Sequence, residues 1–305
     1  MEKISKLITE ESNPKTVDLD EMSIREMITV MNEEDMTIAL AVQQVLPEIE
    51  KAIVHVVEAF KNGGRLIYIG AGTSGRIGVM DAVECPPTFS TPPELVQAVL
   101  AGGPGAMYHA VEGAEDDESL GAADLRDLNL ATNDVVIGIA ASGRTPYVKG
   151  ALAFAQSIGA STISLTGNAN SAISAHADVK IEVITGPEVV AGSTRLRAAT
   201  AHKMVLNMIS TTAMMKIGKI YKNLMVDLNA SNFKLKERAK QMVCTITEAP
   251  YELAEKTLET TRYNVKQAIV MILADVSESE ALELIDRSEG FVKRAVALAS
   301  AGETR

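Results

Sequence analysis

The sequence predicts an α/β protein: a doubly wound, five-stranded parallel sheet flanked by helices, with a small helical domain at the C-terminal end. Three observations predict it. Between Arg65 and Ile184, short apolar runs alternate with helical periodicity, as in a sheet covered on both faces. Two of those runs end in glycine- and hydroxyl-rich turns that lead straight into helices. Beyond Tyr251 the pattern is helical only. The expected division is residues 1–247, a ligand-binding domain with N-terminal helices, and residues 248–305, a domain of three short helices.

The elements follow in order. Met1 to Met22 is polar, carries Asn13-Pro14 and reads as an extended arm. Ser23-Ile24-Arg25-Glu26 is a capping box that opens a helix. Helical periodicity continues from Met36 to Leu46 and from Pro47 to Phe60, and Gly63-Gly64 ends it. The strands are read at Leu66–Ile69, Val96–Leu100, Val135–Ile139, Thr162–Leu165 and Val179–Val183. Helices are read at Gly75–Val83, Glu118–Leu128, Thr145–Ile158 and Ser171–His176. After Gly186-Pro187 comes a long helical stretch, Ser193 to Leu228. Its Met204, Met208, Met214, Met215 and Met225 read as core or subunit interface. Asn229 to Ala249 reads as a charged helical connector stopped by Pro250. The tail's apolar face includes Leu253, Leu258, Val265, Ile269, Leu282, Leu284 and Ile285.

Composition narrows the function classes. Of 305 residues, 47% are hydrophobic and 23% charged, enough for one large domain with an appendage or for two. A net charge of −11 without any basic run argues against a nucleic-acid partner. Cys85 and Cys244 are too few for a disulfide framework, and no stretch reads as a signal peptide or membrane span. A reducing cytoplasm and no membrane partner are expected. With no Trp and 4% aromatic residues, a base-stacking platform is not expected.

The stretch from Arg65 to Ser90 carries the chemistry. A buried strand runs into Gly70-Ala71-Gly72-Thr73-Ser74-Gly75-Arg76, where Ser74 reads as the N-cap of a helix. Pro86-Pro87 reads as that helix's stop, with Glu84 at its far end. Backbone N–H groups and the positive end of the helix dipole then converge on one point, a site for an anion such as phosphate. The letters satisfy G-x-G-x-x-G. A dinucleotide loop, however, asks for an acidic residue about twenty positions on. Val96–Leu100 ends instead in Ala101-Gly102-Gly103. No Gly-Lys-Ser/Thr follows, so a Walker loop does not fit either. Taken alone, the turn is a phosphate site or a plain strand-to-helix connection.

A second turn decides between them. Val135–Ile139 is followed by Ala140-Ala141-Ser142-Gly143-Arg144-Thr145-Pro146, again a strand leading through hydroxyls into a helix with proline in its first turn. Two such turns on one sheet can grip a phosphate from both sides, with Ser74, Ser142 and Thr145 supplying hydroxyls. A third polar turn, Gly186 to Arg195, can close the site.

These motifs resemble the sugar isomerase (SIS) domain family, which binds phosphorylated sugars on a doubly wound five-stranded parallel sheet. The family's Ser-x-Ser-Gly-x-Thr loop appears here as Ala140 to Thr145, with Ala140 in place of the first Ser. Its Gly-Pro-Glu-x-x-x-Ala-Ser-Thr-Lys turn appears as Gly186 to Arg195, with Gly192 and Arg195 in place of Ala and Lys. Within that family, Gly70–Arg76, Glu84–Phe89, Val111–Asp116 and Ala140–Tyr147 together are similar to the N-acetylmuramic acid 6-phosphate etherases. The likeness runs from Leu7-Ile8-Thr9-Glu10 through Asn223–Asp227 into the tail. Part of the set is shared with glucokinase regulatory protein, which binds sugar phosphates without a reaction.

The resemblance implies a lyase that opens the lactyl ether by elimination and then hydration, with N-acetylmuramic acid 6-phosphate as the small-molecule substrate. It implies no metal or redox cofactor, and a homodimer. By resemblance, Glu115 matches the base that takes the carbon 2 proton, and Glu84 the acid at the departing oxygen. The acid role asks for a raised pKa, which burial against Pro86, Pro87 and Phe89 would supply. Gly72, Thr73, Ser74, Ser142, Gly143, Thr145 and Glu188 are the implied substrate contacts. None of His55, His109, His176 and His202 stands in a metal spacing. His202 reads as a packed residue rather than a ligand contact, and Cys85 as a small buried apolar side chain. Two rivals stand beside this reading. An aldose–ketose isomerase has no need of a second acid at Glu84, and a sugar-phosphate sensor has no need of either glutamate.

Overall fold

The computed structural model describes residues 7–228, 230 and 232–302. The chain forms two compact units. The first runs to Val83 and resumes over Pro93–Ser210; the second joins Glu84–Pro92 to the chain from Thr211 onward. This division falls earlier in the chain than residue 247.

The first unit is built on five parallel strands, β1 (Leu66–Gly70), β2 (Val96–Leu100), β3 (Val135–Ile139), β4 (Ser161–Thr166) and β5 (Val179–Glu182), in the order β2-β1-β3-β4-β5. Leu66 pairs with both Val96 and Val135, Val135 with Ser161, and Ile163 with Val179. The central β1 and β3 are buried at every position, as their unbroken apolar runs require when helices cover both faces. The edge strand β5 alternates, with Val179 and Ile181 inward and Lys180 outward. Each strand lies within two residues of its expected span.

The N-terminal helices are α1 (Ile24–Asp35), α2 (Ile38–Gln44) and α3 (Leu46–Lys61). The Ser23–Glu26 capping box forms, with Ser23 Oγ accepting from Glu26 N and the Glu26 carboxylate accepting from Ser23 N. Part of the expected arm, Met1 to Lys6, lies outside the described residues. Residues 7–22 are not extended: they make short 3-10 turns at Ile8–Glu10 and Leu19–Glu21 and are pinned by buried polar groups. Asn13 Nδ2 donates to Glu34 at 2.9 Å, and Glu34 also pairs with Lys15 (2.7 Å) and Arg197 (2.6 Å). Burial raises the Glu34 pKa, but those donors and positive charges outweigh it and hold the carboxyl below its ordinary range.

The helices of eight or more residues between β1 and Lys216 are α4 (Gly72–Phe89), α5 (Glu118–Asp127), α6 (Pro146–Ser157) and α7 (Arg197–Lys216). The segment read as a helix at Ser171–His176 is a 3-10 turn, Ile173–His176. Leu125, Val148, Ala151, Leu152 and Ala155 of α5 and α6 form one core with Ile67, Ile69 and Val136 of the sheet. The expected stop at Pro86-Pro87 does not occur: α4 continues to Phe89, so Glu84 lies inside the helix. Both prolines withhold a donor from the helix, but their carbonyls still accept; Ser90 N closes the last turn on Pro86 O at 2.9 Å. Cys85 is buried, as expected.

The second unit contains α8 (Phe233–Thr247), α9 (Tyr251–Thr260), α10 (Val265–Ala274), α11 (Glu278–Arg287) and α12 (Val292–Gly302). The expected connector α8 is instead part of the core, with Ala239, Met242 and Val243 buried beside Leu258, Ile269 and Leu284. Among the described residues four helices, not three, follow Pro250. Left-handed residues at Arg262 and Tyr263, at Asp275, and at Glu289 with Gly290 break the chain between them. Leu253 and Leu282 stand outward, 46% and 48% exposed, because α9 and α11 bury Ala254, Leu258, Ala281 and Leu284 instead. Among the methionines of the long helical stretch, Met214 is buried and Met215 is 41% exposed.

Candidate active site

The strand order fixes where a ligand can sit. From β1 the chain moves outward to β2, then returns to β3 on the opposite side of β1. The connections therefore diverge between β1 and β3, and a crevice opens at the carboxyl ends of those two strands. A cleft of about 410 Å³ lies there, lined by Ala71, Gly72, Thr73 and Ser74 after β1 and by Ala141, Ser142, Arg144, Thr145 and Pro146 after β3. Leu7, Glu10, Glu115, Asp116 and Thr194 complete it.

Each turn presents donors for a local reason. Helix α4 starts at Gly72, so Ser74 lies inside its first turn rather than at the N-cap. Its first helical bond runs from Gly75 N to Ala71 O, at 3.2 Å. The N–H groups of Gly72, Thr73 and Ser74 precede that bond and have no acceptor within the helix, which leaves them and the dipole for an anion. In the second turn Ser142 Oγ accepts from Arg144 N at 3.2 Å, so its own proton remains to be donated outward. Thr145 sits at the N-cap of α6 but makes no side-chain cap bond.

Of the predicted substrate contacts, Gly72, Thr73, Ser74, Ser142 and Thr145 meet in this cleft. Gly143 and Glu188 do not. Gly143 is buried with φ +70°, its N–H bonded to Ala140 O; a Cβ there would fall 2.2 Å from Ser171 Cβ, so the glycine lets the turn fold under itself. Glu188 is 1% exposed and accepts from Arg197 N (2.8 Å) and Ala198 N (2.9 Å), capping α7. Burial raises its pKa against those two bonds.

Glu115 lines the cleft from a short 3-10 turn, Ala114–Asp116, which precedes α5. Asp117 caps α5 through Ser119 N and Leu120 N; its bonds to Ser119 and the helix backbone hold its pKa low. Arg76 binds the carbonyls of Ala106 and Met107, fixing the segment that leads toward Glu115. Glu84 belongs to the second unit and is exposed, so the expected burial against Pro86, Pro87 and Phe89 is not found. His202 is 1% exposed, and burial pushes its pKa down to about 4 against an opposing contact with the Thr166 backbone. Neither His202 nor the exposed Arg195 lines the cleft. Sequence reasoning assigned no role to Leu7, Glu10, Asp116 or Thr194. Thr194 lies in the third polar turn, and Leu7-Ile8-Thr9-Glu10 was recognised only as a motif.

Comparison with known proteins agrees with this architecture. Two family models match: the glucokinase regulatory protein N-terminal SIS domain over residues 48–156, and the SIS domain over residues 119–211. The N-acetylmuramic acid 6-phosphate etherase of Bacillus subtilis is 54% identical over 293 residues, covering 96% of this chain and 96% of that protein. That of Bacillus mycoides is 55% identical over 293 residues, covering 96% and 100%. Among solved structures, a phosphoheptose isomerase from Neisseria gonorrhoeae matches with a TM-score of 0.50 at 20% identity, over 63% of this chain and 98% of that one, a likeness of fold. With more than half of its residues identical along nearly its whole length, the chain belongs to the N-acetylmuramic acid 6-phosphate etherase family.

Proposed function

We propose that this protein cleaves the D-lactyl ether of N-acetylmuramic acid 6-phosphate, giving N-acetylglucosamine 6-phosphate and D-lactate. One observation carries the reading: phosphate-type donors of Gly72, Thr73 and Ser74 and the carboxylate of Glu115 line the same cleft, in a chain of the etherase family. The first-turn N–H groups of α4 and the hydroxyls of Ser74, Ser142 and Thr145 bind the phosphate. In the open-chain sugar the aldehyde acidifies carbon 2. Glu115 takes that proton, the electron pair forms the carbon 2–carbon 3 double bond, and the carbon 3–oxygen bond breaks to release lactate. Water then adds across the double bond, its hydroxyl to carbon 3 and a proton to carbon 2, so the sum is hydrolysis of the ether. Glu84 as the acid at the departing oxygen rests on the family motif alone, since in this chain its side chain is exposed.

Incubation with N-acetylmuramic acid 6-phosphate should release D-lactate in one-to-one yield with N-acetylglucosamine 6-phosphate. An aldose–ketose isomerase needs only the base, and Glu115 on the cleft lining favours it as the second reading. Conversion of a sugar 6-phosphate to its ketose without lactate would establish that reading instead. The protein is further proposed to act as a homodimer in the cytoplasm. An apolar stripe on α1 supports the dimer, and a count of only two cysteines, Cys85 and Cys244, supports a reducing compartment.

A further inference from the structure

Most of the cleft wall comes from strand ends, but Leu7 and Glu10 enter it from the start of the described chain. A buried clip holds them there. Asn168, 3% exposed and just past β4, accepts from Ile8 N at 2.8 Å. Its Nδ2 donates to Thr9 Oγ1 and to Ala141 O, both at 3.0 Å. Ala141 belongs to the turn after β3 that lines the cleft. Gly192 N adds a bond to Thr9 O at 3.2 Å. One amide side chain therefore joins this N-terminal strap to the turn that carries Ser142.

The clip delivers a carboxylate. Glu10 is exposed on the cleft wall and has no hydrogen-bond or ion-pair partner among the described residues. A Cβ at Gly192 would stand 3.0 Å from Glu10 Oε2, at a φ of +76° that side chains rarely adopt, so glycine there leaves room for the carboxylate.

We propose that Glu10 determines sugar specificity at this site, accepting a hydrogen bond from a neutral donor on the sugar, a hydroxyl or the acetamido N–H, while Asn168 positions it. The proposal rests on the sugar-phosphate reading above. An ionised carboxylate only accepts hydrogen bonds, so it repels the phosphate and must meet another part of the ligand. Among the groups of an N-acetylated sugar 6-phosphate, the neutral donors are its favourable partners. A charge-assisted bond of this kind discriminates strongly against a ligand that lacks the donor. A strap ordered only on binding would subtract that ordering entropy from affinity; Asn168 orders it beforehand.

Equilibrium binding to the full-length protein tests this, with N-acetylglucosamine 6-phosphate, glucose 6-phosphate and inorganic phosphate as probes. Glu10→Ala and Glu10→Gln are expected to weaken N-acetylglucosamine 6-phosphate by about tenfold or more, and to leave inorganic phosphate unchanged or tighter. Asn168→Ala is expected to give the same selective loss. If glucose 6-phosphate loses equally, the donor is a hydroxyl common to both sugars; if it does not, the donor is the acetamido N–H. Wild-type affinity of both Glu10 variants for all three probes overturns the proposal. So does an equal loss for sugar phosphate and inorganic phosphate, which marks the strap as scaffold only. Because Glu10 is exposed, its variants keep the test decisive even if Asn168→Ala fails to fold. The lyase reading fails separately, when a wild type that binds the sugar phosphate releases no D-lactate; a wild type that binds no sugar phosphate overturns both.

Discussion

His202 titrates at about 4 in the folded chain because burial disfavours its charged form. In the unfolded chain it titrates at about 6.5. Between these values the unfolded state holds a proton that the folded state lacks, so stability falls as pH drops from about 6.5 toward 4. Urea unfolding across that window should show a loss from this group of up to about 3 kcal/mol, and His202→Gln should flatten the profile. An unchanged slope in the variant would remove His202 as the source. The two glutamates are separable by a different measurement. Exchange of the carbon 2 proton with solvent deuterium needs only the base and the aldehyde. Glu115→Gln should therefore lose exchange and lactate release together, whereas Glu84→Gln should lose lactate release and keep exchange, each by about 100- to 10,000-fold where lost. The opposite pattern in proton NMR would exchange the roles. Normal lactate release by both variants would remove both residues from the chemistry. Glu115 was legible in sequence through its motif and lies on the cleft; Glu84 was equally legible, but its expected burial depended on a helix end that does not exist.

At the scale of elements, the cleft depends on how firmly α4 and α6 are set against the sheet. Leu152 of α6 is fully buried and lies over Gly138 of β3, where even a Cβ would come within 2.7 Å of its Cδ1. Leu152→Ala should cost about 2–5 kcal/mol of stability, read from chemical denaturation. A cost below 1 kcal/mol, on the order of a surface change, would mean that α6 does not rely on this contact. Ser142→Ala removes a hydroxyl from the cleft and the acceptor of Arg144 N together. The Michaelis constant should rise by about tenfold or more, for a loss on the order of 1.5–3 kcal/mol. An unchanged constant would place the phosphate elsewhere. The strands were legible because buried parallel strands must be apolar at every position, which leaves little ambiguity in runs such as Val135–Ile139. Helix ends were less so: Pro86-Pro87 reads as a stop, yet the helix runs on to Phe89, and Ser90 N closes its last turn on the carbonyl of Pro86.

At the scale of the whole molecule, the turns that line the cleft were legible and their long-range supports were not. Asn168 reaches Ile8 and Thr9, and Arg197 reaches Glu34, across some 160 residues; neither pair carries a local signal. The unit boundary was hidden for a related reason, since Glu84–Pro92 joins a unit whose other residues begin at Thr211. Among the described residues, α1 carries an exposed apolar surface. On α1, Ile24, Ile28 and Met31 follow helical spacing and are 79%, 53% and 36% exposed, while Val30 and Glu34 face inward. Leu40 of α2 is 61% exposed as well. An apolar stripe of this kind marks a surface that another copy of the chain can cover, and a two-fold dimer is the commonest closed assembly. In such an interface each substitution is met twice, once in each subunit. Burying an isoleucine contributes roughly 1.5–3 kcal/mol, so an aspartate at Ile24 and at Ile28 removes that contribution at four positions and adds like charges that repel. Light scattering at micromolar concentration should give twice the mass of one chain for the wild type and the mass of one chain for the double variant, with the helical circular dichroism unchanged. A wild type of single-chain mass rejects the dimer, and a double variant that stays at twice the mass moves the interface away from α1.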